Sequence, residues 1–110
     1  MSLADEPVTS APKCSPREIT MLSKEIDGWS VIDDARDNYM VKLEKRFEFP
    51  DFATAMVFVN KVGVVAENEG HHPEVTVTWG KATVRWWSHE RAGVTRDDFI
   101  MAAKTDTVGG

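Results

Sequence analysis

Residues 74–87 read EVTVTWGKATVRWW, from Glu74 to Trp87. Apolar and polar side chains alternate along Glu74–Trp79 and again along Lys81–Trp87, with Gly80 between them. A period of two on both sides of a glycine turn predicts a β-hairpin. The preceding stretch, DFATAMVFVNKVGVVAENE from Asp51 to Glu69, has helical periodicity instead. Its apolar residues, among them Phe52, Val57, Phe58, Val62, Val64 and Val65, spread beyond the single stripe that a helix on a sheet needs. A second buried face is expected, deeper in the core or against another subunit. Asp51 caps this helix and Gly70 stops it.

Further upstream, Tyr39–Phe49 alternates in part and pairs naturally with Trp29, Val31 and Asp33 through a turn at Asp34–Asn38, giving a first hairpin. Before it, Ser15, Pro16 and Glu18 spell an N-cap, a first helical proline and a capping box. Ile19, Leu22 and Ile26 carry a short helix over 16–26, and Gly28 ends it. Downstream, Ala92-Gly93 breaks the second hairpin, Thr95 caps, and Arg96–Lys104 forms a last helix. The order α-β-β-α-β-β-α predicts an α+β domain: a four-stranded antiparallel sheet with three helices on one face. Residues 1–14 (MSLADEPVTSAPKC) offer little to bury and are expected to be a flexible tail. The domain is placed at 15–106 and a C-terminal tail at 107–110.

The 110 residues suffice for one domain, and 42% hydrophobic with 28% charged residues is ordinary for a globular chain. A net charge of −5 argues against nucleic acid and anionic membranes, whose affinity for proteins comes from clustered Lys and Arg. Arg85-Trp86-Trp87 mixes a base with aromatics, but one arginine makes no groove. Cys14 is the only cysteine, so neither an intrachain disulfide nor a cysteine-rich zinc site is available. No apolar run approaches the roughly 18–20 residues of a membrane span. With no basic and apolar leader visible, a cytoplasmic location is expected.

All three histidines fall within nineteen residues. His71 and His72 directly follow the long helix, and His89 follows the last strand. A tight hairpin returns its outer ends to one edge, so the three imidazoles should meet. Glu67, one helical turn before His71, could point into the same place, and Pro73 holds the histidine pair out of helical geometry. Imidazoles titrate near neutral pH and can divide acid and base roles, which a dehydration requires. Zinc is the competing reading, but adjacent histidines on an extended backbone point apart and the usual i, i+4 pair is absent. Trp86 and Trp87 should lie on opposite sheet faces, at least one of them exposed or at an interface. Asp97-Asp98 is accounted for by the favourable dipole of a helix first turn.

The pattern Glu67, His71-His72-Pro73, Trp79, His89 and Asp98, at these spacings, resembles the signature of the pterin-4a-carbinolamine dehydratase family. Looser likeness extends over about residues 15–105. The resemblance implies dehydration of 4a-hydroxytetrahydropterin to quinonoid dihydropterin. It implies His71 and His89 as the acid/base pair, His72 as a binding or proton-sharing group, Glu67 and Asp98 as supports, and Trp29 reaching the site. It implies no metal and no prosthetic group, with the pterin as substrate. It also implies a homodimer or homotetramer through a sheet edge and the helix at 51–69. Gly70 and Val75 depart from residues common in the family and would reshape the pocket. Some relatives are binding proteins, so a catalytically idle assembly factor (for ribulose-bisphosphate carboxylase, for example) or a dimerisation cofactor with a protein client is the alternative.

Overall fold

The computed structural model describes residues 2–109. Helix α1 spans Pro16–Ser23, strand β1 Ser30–Asp34, β2 Met40–Glu48, helix α2 Phe52–Glu69, β3 Glu74–Thr78, β4 Lys81–Trp86 and helix α3 Arg96–Gly109. The start signals act as read. Ser15 and Glu18 close a reciprocal capping box around Pro16, and the Asp51 side chain accepts from the Thr54 backbone. Gly70 terminates α2 at φ 66°, a left-handed conformation that costs glycine no Cβ clash. α1 is shorter than expected and ends at Ser23, yet Ile26 beyond it is still buried.

The four strands form one antiparallel sheet in the order β1-β2-β4-β3. Each hairpin is as expected, and the second docks on the first through β4, with Leu43 opposite Trp86 and Phe47 opposite Ala82. β4 therefore runs through the centre and β3 takes an edge. Leu43, Ala82, Val84 and Trp86 point to the helix side, where they meet Phe58, Val62 and Ala66 of α2 and Phe99, Ile100 and Met101 of α3. The helices cover this one face. The opposite face is polar and forms a shallow concavity bordered by Asp34, Lys42, Thr83, Arg85 and Trp87.

Three expectations need correction. Residues 3–11 do not trail away as a tail but lie along α3 and past the end of α2, with Leu3 buried. Polar composition concealed this because the segment is held mainly by hydrogen bonds and ion pairs, not by apolar burial. Cys14 is buried too, and burial pushes its thiol up to about 11, which leaves it unreactive at neutral pH. At the other end α3 continues to Gly109, so residues 107–109 are helical, not tail. Finally, both Trp86 and Trp87 are buried. They do face opposite sides. Trp87 is covered on the polar face by Lys42, whose ammonium sits 3.8 Å from the ring centroid.

Candidate active site around three histidines

The second hairpin closes as its alternation requires: Glu74 at the start of β3 pairs with Arg85 near the end of β4. Residues just before β3 and just after β4 are thereby carried to the same end of the sheet. His71, His72 and His89 line one cavity of about 420 Å³, within the range of small-molecule sites, together with Trp87, Ser88 and Asp97. Each of two histidines rests on a different tryptophan. His71 stacks on Trp86, with centroids 5.7 Å apart and planes 16° apart, on the helix side. His89 tilts against Trp87 at 4.6 Å. The pair Trp86-Trp87 thus supports both imidazoles from opposite faces of one strand end.

Behind the cavity wall, His71 Nε2 and Asp98 Oδ1 stand 2.7 Å apart. Asp98 is fully buried, with 0% of its side chain exposed. Its other oxygen accepts from Ser88 Oγ and from the Thr95 backbone N–H, each at 2.8 Å. Thr95 precedes α3, and its hydroxyl accepts from the Asp97 N–H at 3.2 Å. Asp98 is therefore the third-residue member of a capping box, anchored by the helix it caps and aimed at a histidine 27 residues away. A favourable helix dipole, the sequence-level account of Asp97-Asp98, is only part of the reason for an acid here.

The hydrogen bond that His71 donates to Asp98 raises the His71 pKa above its ordinary value, against the opposing effect of burial, and the charges of Asp98 and Asp97 add to the rise. The imidazolium is favoured in the fold. Since the folded-state pKa lies above the unfolded one, near 6.5, this pair contributes its full stability below about pH 6.5. The contribution fades as pH rises through the folded value. A series of Tm measurements against pH should show this loss in the wild type and a flatter profile in His71→Gln. A nuclear magnetic resonance titration of the His71 ring should place its midpoint above 6.5.

Not every expected residue points into the cavity, and His72 lines only its mouth. His72 turns outward, 61% exposed, and its Nε2 stands 3.4 Å from Glu67 Oε2. Glu67 itself is 77% exposed and does not reach His71. It lines a different concavity, an apolar groove of about 570 Å³ between α2 and β3 that His72 and Pro73 share. The i, i+4 spacing put Glu67 one turn from His71, but Gly70 turns the chain through a left-handed conformation between them and redirects the histidine. Asp98 supplies the carboxylate instead. The larger groove carries neither His71 nor His89, which both line the smaller, more polar cavity. Trp29 is also elsewhere. Its indole donates to Asp106 Oδ2 at 3.0 Å and its ring meets Phe47 edge-on, so it does not line the histidine cavity. Glu69, which sequence reasoning passed over, does line it.

Comparison with known proteins shows the family and the fold. The profile of the family described as pterin 4 alpha carbinolamine dehydratase matches residues 12–108. A Chlorobium limicola protein, provisionally named pterin-4-alpha-carbinolamine dehydratase, is 48% identical over 88 residues, 80% of this chain and 75% of that one. The crystal structure of a transcriptional coactivator/pterin dehydratase from Brucella melitensis superposes with a TM-score of 0.80. It is 28% identical, and the match covers 89% of this chain and 99% of that one. A pterin dehydratase-like protein described as a RuBisCO assembly factor in the alpha-carboxysome shares the fold at a TM-score of 0.62. Its identity is 19%, over 76% of this chain and 90% of its own.

Proposed function

Because the chain belongs to the pterin 4 alpha carbinolamine dehydratase family, we propose that it converts 4a-hydroxytetrahydropterin to quinonoid dihydropterin and water. The observation that carries this reading is that His71, held from behind by the buried Asp98, lines one cavity with His89. His71, held as imidazolium by Asp98, protonates the C4a hydroxyl, and the C–O bond breaks to release water. His89, whose ring has no hydrogen-bonded carboxylate among the described residues, takes the proton from N5 as the C4a–N5 double bond forms. Two imidazoles in different electrostatic surroundings thus divide the acid and base roles. His72, at the mouth, contributes to binding. The protein's part in this elimination of water is proton transfer alone, which calls for no metal or prosthetic group.

Binding can be tested before turnover. Titration with stable 7,8-dihydrobiopterin should shift the ring resonances of His71, His72 and His89 and leave the Trp29 indole resonance in place. Shifts confined to the α2–β3 groove would refute this location of the site.

We also propose a homo-oligomer, dimer or tetramer, in which α2 meets another copy. Val57 and Val64 on α2 are 54% and 61% exposed, and Val64 borders the apolar groove, a surface that a monomer would leave wet. Light scattering should give a multiple of the chain mass, and the double variant Val57→Glu/Val64→Glu should reduce it. A non-catalytic role with a protein client is the second reading. It draws support from Trp79, 71% exposed at the tip of the second hairpin. A pure scaffold, however, has no need of a buried carboxylate aimed at a histidine.

A further inference from the structure

The segment ahead of α1 is bound to the histidine cavity by carboxylates on both of its flanks. Asp97, almost fully buried, accepts the Thr9 N–H at 3.0 Å and the Ala11 N–H at 2.8 Å through its two oxygens. Glu69 accepts the Val8 N–H at 3.2 Å, and Arg91 donates to the Ser10 carbonyl at 3.2 Å. Further out, Glu6 forms a two-bond pair with Arg96 and Lys104 donates to the Ala4 carbonyl. These anchors are residues adjacent to the site itself: Glu69 stands two positions before His71, Asp97 one before Asp98, and Arg91 two after His89. Val8, Ser10 and Ala11 consequently line the same cavity as the three histidines.

We propose that residues 8–11 are a wall of the pterin site, a specificity-determining strap whose position is set by Asp97. The inference rests on the dehydratase reading for the identity of the ligand, but not for the existence of the wall. The wall comes from residues that precede the span matched by the family profile, 12–108. Three backbone N–H groups bonded to carboxylates hold an otherwise polar segment at a fixed distance from the imidazoles. Hydrogen bonds to charged acceptors are among the stronger ones. The segment therefore limits how large a group the bound ring system can carry on that side.

Two measurements test the proposal on the full chain. Amide hydrogen exchange should find the Val8, Thr9 and Ala11 N–H groups protected in the wild type. In Asp97→Asn, which keeps the side-chain volume but loses one acceptor, exchange at Thr9 and Ala11 should be faster by about tenfold or more. Separately, Ala11→Trp should raise KM for the carbinolamine, or Kd for 7,8-dihydrobiopterin, by about tenfold or more while kcat stays within about twofold. Unprotected amides at Val8, Thr9 and Ala11, or an Ala11→Trp variant that binds like the wild type, would overturn the strap. If the wild type fails to dehydrate the substrate, the exchange result still decides whether the wall exists, so the two failures stay distinct.

Discussion

Asp98→Ala is expected to be the most damaging single substitution in the molecule, lowering stability and activity together. The side chain is completely buried and receives three strong donations, from His71, Ser88 and the Thr95 backbone. Removing it strands those donors in a dry environment and deletes half of the capping box of α3. Breaking one side of a buried charged pair costs about 3–5 kcal/mol, a large fraction of the stability of a domain this size. Urea denaturation should report a loss of that order. Activity should fall by about a hundredfold or more even in the folded fraction, because His71 loses both its orientation and the charge that favours its acid form. Asp98→Asn separates the effects. It preserves volume and part of the hydrogen bonding, so most of the stability should survive while the His71 titration midpoint drops.

The second large effect concerns the histidines themselves. His71→Ala and His89→Ala should each reduce the dehydration rate by about 10²–10⁴-fold, the range for loss of a positioned general acid or base. A hundredfold loss corresponds to about 2.7 kcal/mol of transition-state stabilisation. His72→Ala should cost much less, since that ring is mostly exposed and its carboxylate contact is 3.4 Å and solvated. The double variant His71→Ala/His89→Ala should be little worse than either single variant, because an acid and a base that act in one step are not additive. The ordering of the three histidines separates the inward-facing pair from the outward-facing one. Equal losses at all three would contradict that division.

Much of this arrangement was legible in the residue order, and its gaps have physical causes. Alternation over 74–87 gave the second hairpin, and hairpin closure alone brought His71 and His89 to one end of the sheet. The capping box at Ser15 and Glu18 and the glycine stop at Gly70 are local, so they read correctly. What escaped was long-range. That β4, not β3, would lie beside β2 depends on how two hairpins dock, which no periodicity encodes. The Asp98–His71 bond spans 27 residues, and the strap anchored by Asp97 spans more than eighty. Glu67 was placed by helical spacing, and a single left-handed residue, Gly70, overturned the inference. One of Trp86 and Trp87 was expected to be exposed or at an interface, but the Lys42 ammonium lies over the Trp87 ring and both are buried.

The central claim, that this cavity dehydrates a pterin carbinolamine by histidine acid/base catalysis, is tested most directly by the decay of freshly generated 4a-hydroxytetrahydropterin, followed by absorbance. The account predicts strong acceleration by the wild type over buffer, cut by about a hundredfold or more in His71→Ala and in His89→Ala. A wild-type decay no faster than buffer, from protein shown to be folded, would contradict it and leave the histidine cavity without this reaction.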